Sequence, residues 1–142
     1  MDIRALLFGS GDTSRSVDLG LLVLRLGVGL PLAFAHGLGK IPPSQGFIDG
    51  TAEMGFPLPV VFAWAAALSE FLGGILVALG LATRPAALFA AITMAVATFV
   101  RHGGDPFGEM EKSFLFFVAF VTLLIAGGGR YALDAAIRRR TL

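Results

Sequence analysis

The sequence predicts an all-α integral membrane protein, a bundle of four membrane-spanning helices with both termini cytoplasmic. Three observations carry this reading. Hydrophobic residues make up 56% of the chain and charged residues 15%, with a mean hydropathy of +0.81, whereas soluble domains carry about a quarter charged residues. The apolar residues gather into four runs divided by segments rich in Pro, Gly and charge. Lys and Arg, finally, fall unequally on the two sides of those runs.

A spanning helix needs about 20 mostly apolar residues to cross about 30 Å of hydrocarbon. Four runs are candidates, at residues 19–38, 58–82, 85–102 and 111–128, and together they make a single domain of the 142-residue chain. The last two have apolar cores of only about 13 to 16 residues, so their ends recruit flanking polar residues or the bilayer thins locally. This places Arg101, His102 and Glu111 at or just inside one membrane face. The opening "MDIRALLFGSGDTSRS" reads as a polar lead-in and not as a secretory signal, because "ALLF" is too short for an apolar signal core.

The segment "GKIPPSQGFIDGTAEMGFPLP" holds four of the seven prolines and reads as an ordered or partly re-entrant loop. "GLATRPA" reads as a tight hairpin, with Arg84 steered away from the α region by Pro85 and Pro85 suited to a first helical turn. "RHGGDPFGEMEK" supplies the third turn. Arg4, Arg15, Arg84, Arg130, Arg138, Arg139 and Arg140 lie on one side of the spans, and Lys40, Arg101 and Lys112 on the other. Positive residues collect in the cytoplasm, which sets both termini there, makes "RRR" a positive-inside anchor and points to a multi-pass membrane protein. After the fourth span, "GGGRYALDAAIRRR" reads as a helix stop and a short interfacial segment in which Arg130 and Asp134 are spaced to pair.

Charges inside the apolar runs carry the functional expectations, since an intramembrane charge normally faces the bundle interior and finds a partner. At 1.5 Å per residue, Arg25 in the first span and Glu70 in the second reach similar depth, and the two are expected to form a structural ion pair. Arg25, Gly29, Ala33, His36 and Lys40 share an arc of about 80° on the first helix, and Pro31 is placed to kink it. Ala63, Ala66, Gly73 and Gly74 make a small-residue face beside Glu70, suited to close helix packing. A polar seam follows, running from Arg25 and Glu70 outward to His36, Lys40, Arg101, His102 and Glu111, and these seven residues are the candidate ligand-binding set. His102 and Glu111 are expected near each other at its mouth. Both histidines are expected to line an outer polar pocket and not to ligate haem or metal, and no metal site is assigned. With no cysteine, thiol redox and iron–sulfur ligation are excluded.

These residues resemble the DoxX family of small four-helix bacterial membrane proteins, over about residues 18–134. The resemblance is carried by "LRLGVGLPLAFAHGLGK", "GFPLPVVFAWAAALSEFLGGILVALGLATRPAA", "MAVATFVRHG" and "EKSFLFFVAFVTLLIAGGGRYALD". It implies an accessory component of redox metabolism in the bacterial inner membrane and marks Arg25, Lys40, Glu70, His102, Glu111, Arg130 and Asp134 as family-like charged positions, with no catalytic residue to transfer. The expected function is binding of a quinone or another small amphipathic ligand, its head group in the polar seam and its tail against "FLFFVAF". No covalent cofactor is expected. The alternative is a non-catalytic scaffold or chaperone-like partner using the small-residue faces Gly29, Ala33, Gly37 and Ala87, Ala91, Ala95. Expected partners are the lipid bilayer, a redox partner protein and, as an option, further copies of the chain, but not nucleic acid.

Overall fold

The computed structural model describes residues 14–140, and among these the regular structure is entirely helical. The lead-in at residues 1–13 lies outside the described residues. Helix α1 spans Arg15–Pro31 and runs on through a π-helical segment, Leu32–Gly37, and a 3₁₀ turn, Leu38–Lys40. It is followed by α2 (Gln45–Glu53), α3 (Pro59–Leu79), α4 (Thr83–Val96, prolonged by a π-helical segment, Ala97–Arg101), α5 (Phe107–Ala126) and α6 (Leu133–Arg140). Three continuous stretches, Arg15–Lys40, Pro59–Leu79 and Thr83–Arg101, are long and apolar enough to cross a membrane. Helix α5 is as long as a span but carries Glu109, Glu111 and Lys112 in its first turns.

The boundaries follow local chemistry. Ser14 caps α1 by accepting from the Val17 amide, which meets one of the unpaired donors at a helix start. Ser44 does the same for α2 through the Phe47 amide. The loop between the first two spans is thus ordered, as expected, but contains a helix that proline content alone did not signal. Pro31 has no N–H to give, and the hydrogen bonding of α1 changes to the wider π pattern one residue later. Arg84 is helical despite preceding Pro85, because α4 starts at Thr83. Asp134 accepts from the Ala82 and Thr83 amides and from the Thr83 hydroxyl, so a carboxylate from the far end of the chain closes this helix start.

Packing centres on small residues. A Cβ added to Gly29 would lie 2.6 Å from the Gly74 carbonyl oxygen, and one added to Gly74 would lie 2.7 Å from that of Gly29. The α1 and α3 backbones therefore touch through this glycine pair. Ala87, Ala90 and Ala91 of α4 are buried in a core with Leu32, Val77, Met94, Phe120 and Leu123. The small faces of α1 and α4 are consumed inside the molecule. Large apolar side chains point outward instead, among them Val23, Leu26, Leu68, Leu72, Leu115 and Ile125.

Candidate ligand site

Arg25 and Glu70 are both buried, at 0% and 3% exposure, but they do not pair with each other. The Arg25 guanidinium donates to the Ala78 carbonyl at 3.1 Å and to the Tyr131 carbonyl at 3.2 Å. Ala78 is eight residues beyond Glu70, about 12 Å along the helix. Two effects draw the guanidinium there. Side chains lean toward the start of their own helix, and the last carbonyls of α3 lack helical partners and favour a cation. Gly80 makes room: its φ is +70°, and a Cβ on it would collide with Arg25 Nη1. Asp134 supplies the favourable charge interaction. Arg84 repeats the pattern, donating to the Ile125 carbonyl at the end of α5.

Arg25 thus belongs to a fastening at one end of the molecule and not to a ligand site. Asp18, also buried, accepts from the Arg130 amide at 2.8 Å. Arg130 and Asp134 do not make the expected local pair, since the Asp134 carboxylate is taken up by the start of α4.

Glu70 instead meets Lys40, whose Nζ lies 2.7 Å from both carboxylate oxygens. This lysine ends the 3₁₀ turn that follows the π-helical segment, and Gly37 lets α1 approach so closely that a Cβ there would collide with the Phe71 nitrogen. Lys40 Nζ also lies 5.3 Å from the centre of the Phe47 ring, within cation–π range. A lysine ammonium has three donors, so one remains after Glu70 is served.

Two cavities meet at this pair. The first, about 340 Å³, is lined by His36, Lys40, Glu70, His102, Glu109 and Lys112 together with Ser113, Leu32, Met94, Ala97 and Phe116. The second, about 580 Å³, runs between α2, α3 and α4 along Phe47, Met54, Phe56, Phe62, Phe89, Ile92 and Val96. It ends on Lys40, Glu70, Arg101 and His102. Lys40, Glu70, Ala97 and His102 line both cavities. Both π-helical segments border the junction, through His36 on one side and Ala97 on the other. Such widened turns occur often where side chains are re-aimed at functional sites.

The structure brings together five of the seven candidate residues, His36, Lys40, Glu70, Arg101 and His102. Arg25 is excluded as described. Glu111 is excluded by helix geometry: Glu109, Lys112, Ser113 and Phe116 share one face of α5, and Glu111 falls on the exposed opposite side. The partner of His102 is not Glu111 but Asp105, whose Oδ2 lies 2.8 Å from Nδ1. "FLFFVAF" does not form the apolar cavity, whose aromatic wall comes from α2, α3, α4 and the loop before α3. Sequence reasoning also missed the Ser69 and Thr93 hydroxyls, hydrogen-bonded at 2.5 Å between α3 and α4 on the cavity wall.

These features define a multi-pass helical membrane protein whose apolar helices border a charged junction between two cavities. The chain belongs to the DoxX family: the family model described as DoxX matches residues 20–103, which includes Lys40, Glu70, Arg101 and His102. It is similar to the Bacillus subtilis (strain 168) protein named "Putative oxidoreductase CatD", with 34% identity over 122 residues, 85% of this chain and 89% of the other. It is also similar to two Escherichia coli (strain K12) proteins. Inner membrane protein YqjF is 32% identical, with 87% of this chain and 95% of the relative aligned, and Inner membrane protein YphA is 31% identical, with 87% and 98% aligned. No solved structure matches the chain. Helices of spanning length and inner-membrane relatives together place the protein in the bacterial inner membrane.

Proposed function

We propose that the protein is an accessory component of membrane redox metabolism that binds a quinone or a similar small amphipathic ligand at the junction of the two cavities. One observation carries the reading: the 580 Å³ cavity is apolar and aromatic along its length and ends on Lys40, Glu70, Arg101 and His102. Apolar pockets with a few converging polar groups are the usual form of a small-molecule site. The phenylalanines of this wall offer apolar surface to a flat ring, and the third Lys40 donor meets a head-group oxygen. With no cysteine in the chain, electrons pass between the bound ligand and a partner protein. The relative named as an oxidoreductase agrees with a redox setting. Purified protein is expected to bind a quinone with an alkyl tail more tightly than the bare ring, because each buried CH₂ contributes about 0.8 kcal/mol. Equal affinity for the two in equilibrium titration would overturn the reading.

The membrane arrangement belongs to the same proposal. Helix α5 is the fourth span, since its outward residues Leu115, Val118 and Ile125 are large and apolar. The start of α1, the α3–α4 hairpin and the α5–α6 junction are tied to one another by Asp18, Arg25 and Asp134. All three therefore lie at one face, the arginine-rich one, which is cytoplasmic by the distribution of positive charge. Reporters active only in the periplasm should work when fused after Gly50 or Gly104 and stay silent after Arg84. The reverse pattern would invert the topology.

A further inference from the structure

We infer that His102 and Asp105 form a proton-exchanging dyad for the ligand of this site, which makes the preferred ligand one with an ionisable hydroxyl on its ring, such as a hydroquinone or a phenol. The inference rests on the binding reading above and adds the chemistry of the head group.

The geometry begins with the ring nitrogens. His102 Nδ1 is held by Asp105 Oδ2 at 2.8 Å, and its Nε2 has no hydrogen-bond partner among the described residues. A carboxylate on one nitrogen fixes the proton there and leaves the other as an acceptor. The imidazolium that forms when Nε2 takes a proton is stabilised by the same carboxylate. His102 lines both cavities, so it reaches the apolar one that would hold the ring and the polar one that would hold water. The dyad is also partly open, with side-chain exposures of 34% for His102 and 46% for Asp105, so an accepted proton passes on to solvent.

The counter-charge is in place. Lys40 lines the same junction, and two of its three donors serve Glu70. In the step proposed, the ligand O–H bond breaks, its proton forms a bond to His102 Nε2, and the electron pair stays on the ligand oxygen. That oxyanion is held by the free donor of Lys40, with Arg101 a second cation on the cavity wall. No oxidant or reductant is needed for this transfer. The charged groups bordering His102 come from every neighbouring element: Lys40 and His36 from α1, Glu70 from α3, Arg101 from the end of α4, and Glu109 and Lys112 from α5. Glu70 and Glu109 oppose Lys40 and Lys112, so a ligand anion enters a junction that is balanced without it. Arg101 adds the positive excess.

The test uses 4-nitrophenol bearing an alkyl tail, whose anion absorbs visible light and whose neutral form does not. It is added to the full-length protein in detergent at about pH 6.5, where the free probe is still mostly neutral and an imidazole still offers a nitrogen to take its proton. The bound probe is expected to show the anion spectrum. In His102→Ala the ratio of anion to neutral bound probe should fall about tenfold or more, the equivalent of one unit in the probe's own ionisation. Asp105→Asn should lower it less, with Asp105→Glu restoring it. Binding with a neutral spectrum in the wild type, or an unchanged ratio in His102→Ala, would overturn the dyad alone. Absence of binding would overturn the ligand reading and the dyad with it.

Discussion

Asp134→Ala is expected to destabilise the protein by about 3–5 kcal/mol, although residue 134 is far in sequence from every group it holds. The carboxylate is 1% exposed and accepts three hydrogen bonds, from the Ala82 amide, the Thr83 amide and the Thr83 hydroxyl. Removing it strands buried donors at about 1–3 kcal/mol each. It also uncovers the start of α4, where a negative charge is favourable, and takes away the charge that Asp134 offers to buried Arg25. Ala82 sits at φ +46°, a conformation costly for a residue with a Cβ, and the two amide bonds on either side of it help keep it there. Asp134→Asn retains part of the acceptor capacity and should lose less. Thermal unfolding in one detergent decides the matter. A midpoint for Asp134→Ala equal to that of the wild type would show that the C-terminal segment is not a fastening.

Gly37→Ala should be nearly as severe, and it should reach the site as well as the fold. The added Cβ would lie 2.4 Å from the Phe71 nitrogen, 2.6 Å from its Cα and 2.7 Å from the Glu70 carbonyl carbon. All three are backbone atoms that cannot rotate away, so α1 and α3 must part at about 2–3 kcal/mol for an overpacked core. His36 and Lys40 travel with that turn, and the 2.7 Å contacts of Lys40 with Glu70 would lengthen. Gly39→Ala is the control, because nothing lies within 4 Å of its added Cβ. Equal stability of the two variants would contradict the close approach of the helices.

Much of this architecture is legible in the sequence because membrane burial writes itself as apolar length. The first three long stretches lie close to where hydropathy and the Pro85 hairpin put them. The stripe Gly29, Ala33, Gly37 is visible as small residues at helical spacing and does meet α3, at Gly74 and at the Glu70–Phe71 backbone, whereas Gly73 turns to Ala86 of α4. What composition could not say is whom each charge faces. The depth estimate treated Arg25 and Glu70 as points on two rods. A guanidinium reaches several ångströms back toward the start of its helix, where the unpaired Ala78 carbonyl at the end of α3 receives it. Lys40, placed at the span's outer end by sequence, is carried over Glu70 by the π-helical segment after Pro31 and the 3₁₀ turn that ends on it.

Other misses have equally local causes. Glu111 falls outside the site because α5 starts at Phe107, four residues before the expected 111, and the inward face of a helix cannot be fixed without its neighbours. Asp105 was within reach of reasoning, standing three residues after His102 in "RHGGDP". The role of Asp134 was not, since a contact across 51 residues leaves no periodic trace. The apolar cavity wall draws Phe47 and Phe56 from the segment read as a loop, and a proline-rich loop gives no sign of an inward aromatic face.

The central claim is that the apolar cavity ending on Lys40, Glu70, Arg101 and His102 is where the ligand's tail lies. Ala66, half-buried on α3, lines that cavity and not the polar one, and Ala66→Trp would fill much of it. The most direct measurement is the affinity of an alkyl-tailed quinone for the wild type and for this variant, by equilibrium titration at matched thermal stability. The account predicts at least a tenfold loss in Ala66→Trp for the tailed compound, equivalent to about 1.4 kcal/mol. Unchanged affinity in a stably folded variant would contradict it.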